Sequence, residues 1–296
     1  MVKRNGDMVF IAPENVVKVT KMNHIIEVQH MEKMNRKVNI KKLDENTYLE
    51  ISTGEIKEFT HSENRQQNYN SLRQTFKKLR YLINNNFTGQ GNELHIILTY
   101  KKNMTDTKQL YKDFDKFIKR LRYKFKNDSS IDYLTVVEPQ GRGAWHCHVL
   151  MRFNELDKIF IKNSDLRALW GLGWVTIKSL KEVDNIGAYL SAYLADIELT
   201  EENYTNAIDS DSIVQIKEVE GKKFIKGGRL HMYPSGMNLY RKSKGIVEPE
   251  RKEMKFKDIK KVVGSAKPHY EKSYHIETDD FENTISFLQY NTKRKN

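Results

Sequence analysis

Residues 132–153 read DYLTVVEPQGRGAWHCHVLMRF, two β-rich runs separated by a turn that contains one proline and two glycines. Runs rich in Val, Tyr and Thr on either side of such a turn predict a β-hairpin. We therefore expect one strand over 132–138 and a returning strand over 145–153, joined by the turn PQGRGA.

The segments around this hairpin carry further strand and helix patterns. Residues 93–100 and 174–180 are short β-rich runs,. Apolar residues recur at helical spacing within 63–83, 106–125, 155–170 and 183–196,. We expect Thr105 or Asp106 to cap the second of these helices and Asp184 the fourth. The pattern predicts an α+β fold, with a central antiparallel sheet of about five strands and flanking helices.

The division of the chain follows its composition. We expect an N-terminal extension over 1–60, a main domain over 61–247 with its core at about 90–200, and a basic C-terminal tail over 248–296. Short β-like patches lie at 8–12 and 24–30 of the extension. The acidic, turn-like residues 198–211 predict an exposed loop.

The bulk properties favour a folded protein that binds a polyanion. The chain has 296 residues, of which 38% are hydrophobic, one cysteine, and a formal net charge of +12. A single cysteine excludes internal disulfides and fits a reducing compartment. Neither a signal-peptide pattern nor an apolar run of bilayer length is present in the sequence, so we expect a cytoplasmic protein without a membrane partner. The positive charge favours nucleic acid as the partner.

Two histidines of the returning strand form a candidate metal site. Because side chains alternate across a strand, His146 and His148 share one face, and Cys147 points to the other, as a small hydrophobe would. Glu138 ends the preceding strand, and the six-residue turn brings the chain back beside it. Two imidazoles and one carboxylate suit Mn²⁺ or Mg²⁺ in a catalytic role, and Zn²⁺ would also fit. The alternative is a histidine pair that only decorates the surface.

Two tyrosines follow in the stretch 185–196, NIGAYLSAYLAD. Tyr189 and Tyr193 lie one helical turn apart, beside an apolar stripe. The stripe consists of Ile186, Leu190, Leu194 and Ile197. Tyr189 lies farther from the stripe centre, so we expect it to reach a groove and Tyr193 to be partly packed. Either both tyrosines border the core, or one or both are nucleophiles that attack a phosphorus centre.

Basic residues cluster in two regions. The helix within 63–83 has one apolar stripe and a cationic opposite face, and a second basic region covers 241–272 with interspersed aromatic residues,. Such cations contact phosphates, and aromatic rings stack on unpaired bases. The candidate DNA-binding residues are Arg65, Arg73, Lys77, Arg80, Arg142, Lys178, Arg241 and Lys242. The alternative for both regions is a solvated surface.

The order of these motifs resembles the rolling-circle replication initiators (Rep proteins) of the HUH endonuclease superfamily, and most closely the replication-associated proteins of small phages and plasmids. The resemblance covers about residues 65–249. It rests on the arginine-bearing helix and on HIILTY, VVEPQGRGAWHCH, LWGLGWVTI, YLSAYL and GGRLHMYPSGMNLYRKSKGIVEP. It implies an RRM-like palm.

The resemblance also implies an activity. Such proteins nick one strand at a replication origin by tyrosine attack, which leaves a free 3′-OH and a 5′-phosphotyrosine link, and they rejoin strands later. His146 and His148 match the metal pair, Glu138 the third ligand and Tyr189 the nucleophile. Tyr193 would be a second nucleophile or a supporting group.

Two departures qualify this resemblance. Family members often carry a lysine three residues after a catalytic tyrosine, where this chain has Ala192 and Asp196. Either Lys178, Lys181 or an arginine from elsewhere in the chain then supplies the charge, or the activity is lowered. The sequence also lacks a G-x-x-x-x-G-K-[ST] phosphate loop, so a host helicase and a host DNA polymerase are the expected partners on single-stranded or hairpin origin DNA.

Two alternatives to the initiator stay open. A relaxase or a single-strand transposase would use the same chemistry in another setting. A basic DNA-binding regulator with a vestigial metal site would bind DNA without cleaving it.

Overall fold

The computed structural model divides into two compact units, residues 1–63 with 250–296 (the terminal unit) and residues 64–249 (the central unit). The residues described below are 2–5, 9–34, 38–60, 69–140, 143–181, 183–195, 197–198, 216–219, 222–225, 232–234, 237–278 and 281–294.

The helices and strands are numbered in chain order. The strands are β1 Val2–Asn5, β2 Val16–Met22, β3 Ile25–Met31, β4 Ile40–Lys42, β5 Thr47–Glu50, β6 Ile56–Glu58, β7 Glu93–Tyr100, β8 Ile131–Pro139, β9 Trp145–Phe153, β10 Gly173–Ser179, β11 Ile197–Glu198, β12 Ile216–Val219, β13 Lys222–Ile225, β14 Tyr240–Lys242, β15 Glu250–Lys255, β16 Pro268–Thr278 and β17 Phe281–Asn291. The helices are α1 Tyr69–Asn86, α2 Thr107–Lys124, α3 Asn163–Trp170, α4 Ile186–Ala195 and α5 Lys260–Val263.

The central unit is built on a five-stranded sheet with the strand order β10-β7-β9-β8-β14. Every neighbouring pair in it is antiparallel. The predicted α+β fold with a central antiparallel sheet is therefore confirmed, and β8 and β9 form the predicted hairpin.

Helices cover both faces of this sheet. On one face, apolar residues of α2 and α3 pack against alternate residues of the strands, among them Trp145, Cys147 and Val149 of β9. On the other, α1 and α4 pack against Leu134 and Val136 of β8 and Leu150 of β9. Because His146 and His148 have the parity of Leu150, they lie on the second face, here called the histidine face.

Several helix ends differ from the predicted ones. Asp106 caps α2 as expected, since its carboxylate accepts the backbone N–H groups of the second and third helical residues,. The start of α4 is different, because the side chain of Asn185, not Asp184, accepts the N–H of Ala188 at 3.0 Å. Residues 155–162 are not helical, and α3 ends at Gly171, whose φ of 72° suits glycine,.

The terminal unit contains a sheet with the strand order β1-β16-β17-β3-β2-β15. Strands from both ends of the chain thus pair within one sheet, and β16 and β17 form a long antiparallel hairpin. The predicted patch at 24–30 corresponds to β3, whereas residues 9–12 are not a strand. A smaller sheet, β4-β5-β6, belongs to the same unit. The loop predicted over 198–211 lies, apart from its first residue, outside the described residues.

Among the described residues, no helix is both long enough and apolar enough to cross a bilayer.

Candidate metal and nucleophile site

The hairpin register sets the candidate ligands side by side. His146 pairs with Glu138 on β8 and with Thr99 on β7. His148 pairs with Val136 and Ile97 on the same two strands. Residues that pair directly across antiparallel strands share a face, so Glu138, His146 and His148 all lie on the histidine face.

Glu138 and His148 are in direct contact. His148 donates a hydrogen bond through Nε2–H to Oε2 of Glu138, and each side chain is about 10% exposed. Burial, together with the positive charge of Lys178, lowers the pKa of His148 to about 4,. The imidazole is therefore neutral near pH 7, with its proton on the nitrogen that faces the carboxylate.

A third histidine, which the sequence analysis did not single out, touches this pair. Nε2 of His95 on β7 lies 3.1 Å from Nδ1 of His148. Burial, together with repulsion from His148 and Lys178, lowers the pKa of His95 to about 3. Strand alternation could have placed His95 on the histidine face, because it has the parity of Ile97 and Thr99 in HIILTY.

The residue types fit a divalent ion better than their present arrangement does. Among the described residues, no group of three or more His, Cys, Asp or Glu side chains is arranged to hold a metal. At this site Glu138 contacts Nε2 of His148, one of the two imidazole nitrogens that could bind an ion. Two imidazoles and a carboxylate in register remain a suitable donor set once that contact opens.

Helix α4 brings Tyr189 to the histidine face. Ile186 and Leu190 of α4 are 2% exposed and belong to the core cluster on this face, and Tyr189 packs partly buried against the same cluster. The backbone of Tyr193 lies in α4, but its side chain is outside the described part of the structure. Ile197, expected to extend the apolar stripe, belongs to β11 instead.

Close packing against α1 fixes the position of α4. The buried side chain of Asn84 accepts the backbone N–H of Gly187 at 2.7 Å and donates to Oδ1 of Asn185 at 3.0 Å. A Cβ on Gly187 would come within 2.7 Å of the carbonyl oxygen of Arg80. Only glycine at this position allows the two helices to approach so closely.

The candidate DNA-binding cations are spread over several elements. The Nζ of Lys77 and the guanidinium of Arg80, on α1, lie 5.4 and 5.7 Å from the ring centre of Tyr81. Lys178 is exposed on β10, and Lys242 on β14 donates to the carbonyl oxygen of Ile246 at 2.6 Å.

Arg241 differs from these cations. It forms an ion pair of 3.2 Å with Asp115 of α2, which packs on the opposite face of the sheet. Arg65 and Arg142 lie outside the described residues, and the side chain of Arg73 is likewise not described.

A cleft of about 870 Å³ is lined by none of the candidate metal ligands and by neither candidate tyrosine among the described residues. It is lined by polar residues at the end of α2, the start of β8 and the segment after β14. Of the candidate site residues, only Lys242 contributes to its lining. The histidine face, not this cleft, carries the candidate chemistry.

Residues 93–198 match a family model described as that of the replication-associated protein ORF2. The match covers 106 of the 296 residues. It extends from the first residue of β7 to the last of β11 and contains Glu138, both histidines and both tyrosines. The resemblance to phage and plasmid replication-associated proteins is confirmed, and the family associates the chain with the initiation of replication. No curated protein and no solved structure matches this replication-associated protein.

Proposed function

We propose that this replication-associated protein nicks one DNA strand at a replication origin by the tyrosine chemistry of HUH endonucleases and later rejoins strands. One observation supports the proposal above all. The sheet register places Glu138, His146 and His148 on one face, and the helix that carries both candidate tyrosines packs on that same face.

Glu138, His146 and His148 would hold the ion, for which Mn²⁺ or Mg²⁺ is the best match. A divalent ion there would polarise the phosphodiester and stabilise the charge that develops on its oxygens. For this to happen, Glu138 must turn away from Nε2 of His148. His148 must also carry its proton on Nδ1, from which it can donate a hydrogen bond to Nε2 of His95.

Tyr189 is the proposed nucleophile. Its phenolic oxygen forms a bond to phosphorus while the bond from phosphorus to the 3′ oxygen breaks. The phenol loses its proton, and the departing 3′ oxygen gains one, so a 3′-OH and a 5′-phosphotyrosine result. The covalent link retains the phosphodiester energy for rejoining, in which the steps run in reverse.

The charge of the central unit fits a DNA substrate. The central unit contains 30 of the 51 Lys and Arg residues and 21 of the 39 Asp and Glu residues. Its formal net charge is therefore +9, out of +12 for the chain. We propose single-stranded or hairpin origin DNA as the substrate, with a host helicase and a host DNA polymerase as partners at the nicked origin.

A cleavage assay tests this proposal. Single-stranded oligonucleotides from the DNA that flanks the gene are incubated with protein and Mn²⁺ or Mg²⁺, and covalent protein–DNA bands are resolved on a denaturing gel. We expect a metal-dependent band that Tyr189→Phe abolishes and Tyr193→Phe retains. Partial loss in both variants would instead support a mechanism with two tyrosines, and a band that survives the double variant would exclude Tyr189 and Tyr193 as nucleophiles.

One observation favours a second candidate, a DNA-binding regulator without catalytic activity. The direct contact between Glu138 and His148 closes the site, and no lysine follows either tyrosine at the family's usual spacing. A regulator would bind the same oligonucleotides and yield no cleaved strand with any divalent ion. A relaxase or a single-strand transposase would give the same band as an initiator, and neighbouring transfer genes or element ends would distinguish it.

A further inference from the structure

The histidine face is open at one edge of the sheet. Helices α1 and α4 pack over β8 and β9, while β10 is the edge strand beyond β7. On β10, Trp174, Thr176 and Lys178 are exposed, whereas Val175 between them is 6% exposed and packs into the core on the opposite face. The three exposed side chains form a strip along the histidine face, here called the β10 strip.

Trp174 is far more exposed than the other two tryptophans of the chain. Its side chain is 48% exposed, whereas Trp145 and Trp170 are 4% and 0% exposed. Tryptophan is enriched at binding interfaces, where its ring supplies a large apolar contact area.

The register links this tryptophan to the candidate metal site. Trp174 pairs with Thr99 on β7, and Thr99 pairs with His146 on β9. Trp174, Thr99 and His146 lie in one row that spans two strand spacings. The Cα atoms of Trp174 and His146 are therefore about 10 Å apart.

The charge of the β10 strip indicates which class of ligand it can bind. Lys178 is exposed at the far end of the strip and pairs directly with His95 on β7. A cation beside an exposed aromatic ring suits a polyanion with unpaired flat bases. Duplex DNA keeps its bases stacked within the helix and offers no base face to the ring.

We propose that the β10 strip binds single-stranded DNA, with Trp174 stacked on an unpaired base two strand spacings across the sheet from His146, and Lys178 in contact with the backbone. The inference deepens the proposed nicking function, since it assigns part of the strand's path. Binding itself requires neither metal nor cleavage.

Fluorescence tests the stacking contact. The full-length protein is titrated with oligothymidine of about 16 nucleotides in EDTA, so that no cleavage occurs. Because Trp145 and Trp170 are buried, we expect DNA to quench the emission of Trp174, and Trp174→Phe to remove this quenching. Affinity is measured in parallel by anisotropy of labelled DNA.

Three variants separate stacking from charge. Trp174→Ala should weaken binding at least about fivefold with an unchanged salt slope, and Trp174→Phe should restore most of the affinity. Lys178→Gln should lower the slope of log K against log salt by about 0.7, the value for one phosphate on a single strand. Phe160→Ala, which removes another exposed ring of the same unit, is the control and should bind normally.

The results distinguish this inference from the nicking proposal. If the wild-type protein cleaves no oligonucleotide with any metal but Trp174→Ala still weakens binding, the β10 strip stands and the nickase fails. Equal affinity of Trp174→Ala and wild type, together with normal cleavage, would overturn the β10 strip alone. Absence of quenching in wild-type protein that binds the DNA would overturn it as well.

Discussion

Nε2 of His95 lies 3.1 Å from Nδ1 of His148, and the two imidazole rings are stacked with an angle of 25° between their planes. His148 also donates from its other nitrogen to Glu138. Both nitrogens of His148 are thus engaged by protein groups. A histidine that binds a metal through one nitrogen is oriented by the partner of the other, so His95 is the residue that would orient His148.

This contact predicts a difference between two substitutions of His95. His95→Ala should weaken Mn²⁺ binding about 10- to 100-fold, because His148 loses the partner that sets its tautomer. His95→Gln should retain most of the affinity, since the glutamine amide can occupy the position of Nε2. Isothermal titration with Mn²⁺ measures both, and His24→Ala, a buried histidine of the terminal unit, is the control. Equal affinity of His95→Ala and wild type would remove His95 from the site.

A second prediction concerns Cys147. Its side chain is 1% exposed on the face opposite the histidines, and burial raises the pKa of its thiol to about 12. The native protein should therefore resist thiol reagents, and Cys147→Ala should bind Mn²⁺ as wild type does. Labelling with iodoacetamide in buffer and in urea measures the first, and titration the second. Loss of metal binding in Cys147→Ala would show that the thiol is a ligand.

Much of the central unit could be predicted from the sequence, because its signals are local. The run at 93–100 and the hairpin around 139–144 have β-branched residues, Pro and Gly where a strand or a turn needs them. The strand alternation that puts His146 and His148 on one face depends on the same local pattern. The placement of Glu138 beside them follows from the length of the turn.

The features that the sequence analysis missed depend on contacts between residues far apart in the chain. His95 and His148 are 53 residues apart, and only the pairing of β7 with β9 makes them neighbours. The pairing of strands from both ends of the chain in the terminal unit is of the same kind. No local pattern encodes such pairings.

The junction of α1 and α4 gives a third prediction. Gly187→Ala places a methyl group 2.7 Å from the Arg80 carbonyl oxygen, so α4 must move away and take Tyr189 with it. We expect the central unit to lose about 1–3 kcal/mol of unfolding free energy and the covalent band to weaken. All three tryptophans belong to this unit, so urea unfolding followed by tryptophan fluorescence reports on it.

The matched control for this junction is Ala188→Ser, an exposed neighbour in the same turn, which should change stability by at most about 0.5 kcal/mol,. If Gly187→Ala matched this control in stability and in cleavage, the close approach of the helices would not position Tyr189.

Acid should destabilise the central unit through His95. Because burial lowers the pKa of His95 to about 3, from an ordinary value of 6.5, the unfolded chain binds more protons than the folded one between these two values,. The stabilisation is therefore complete above pH 6.5 and decreases as the pH falls toward 3. Between pH 6.5 and 5 the loss from this one group is on the order of 2 kcal/mol.

His95→Gln isolates this contribution, because glutamine keeps a polar atom near Nε2 and does not titrate in this range. Urea unfolding at pH 7 and pH 5, again followed by tryptophan fluorescence, should show a smaller acid loss in His95→Gln than in wild type. His24→Gln, in the terminal unit, should leave the loss unchanged. An equal acid loss in wild type and His95→Gln would mean that His95 is protonated as readily in the folded protein as in the unfolded chain, which its burial against His148 and Lys178 argues against.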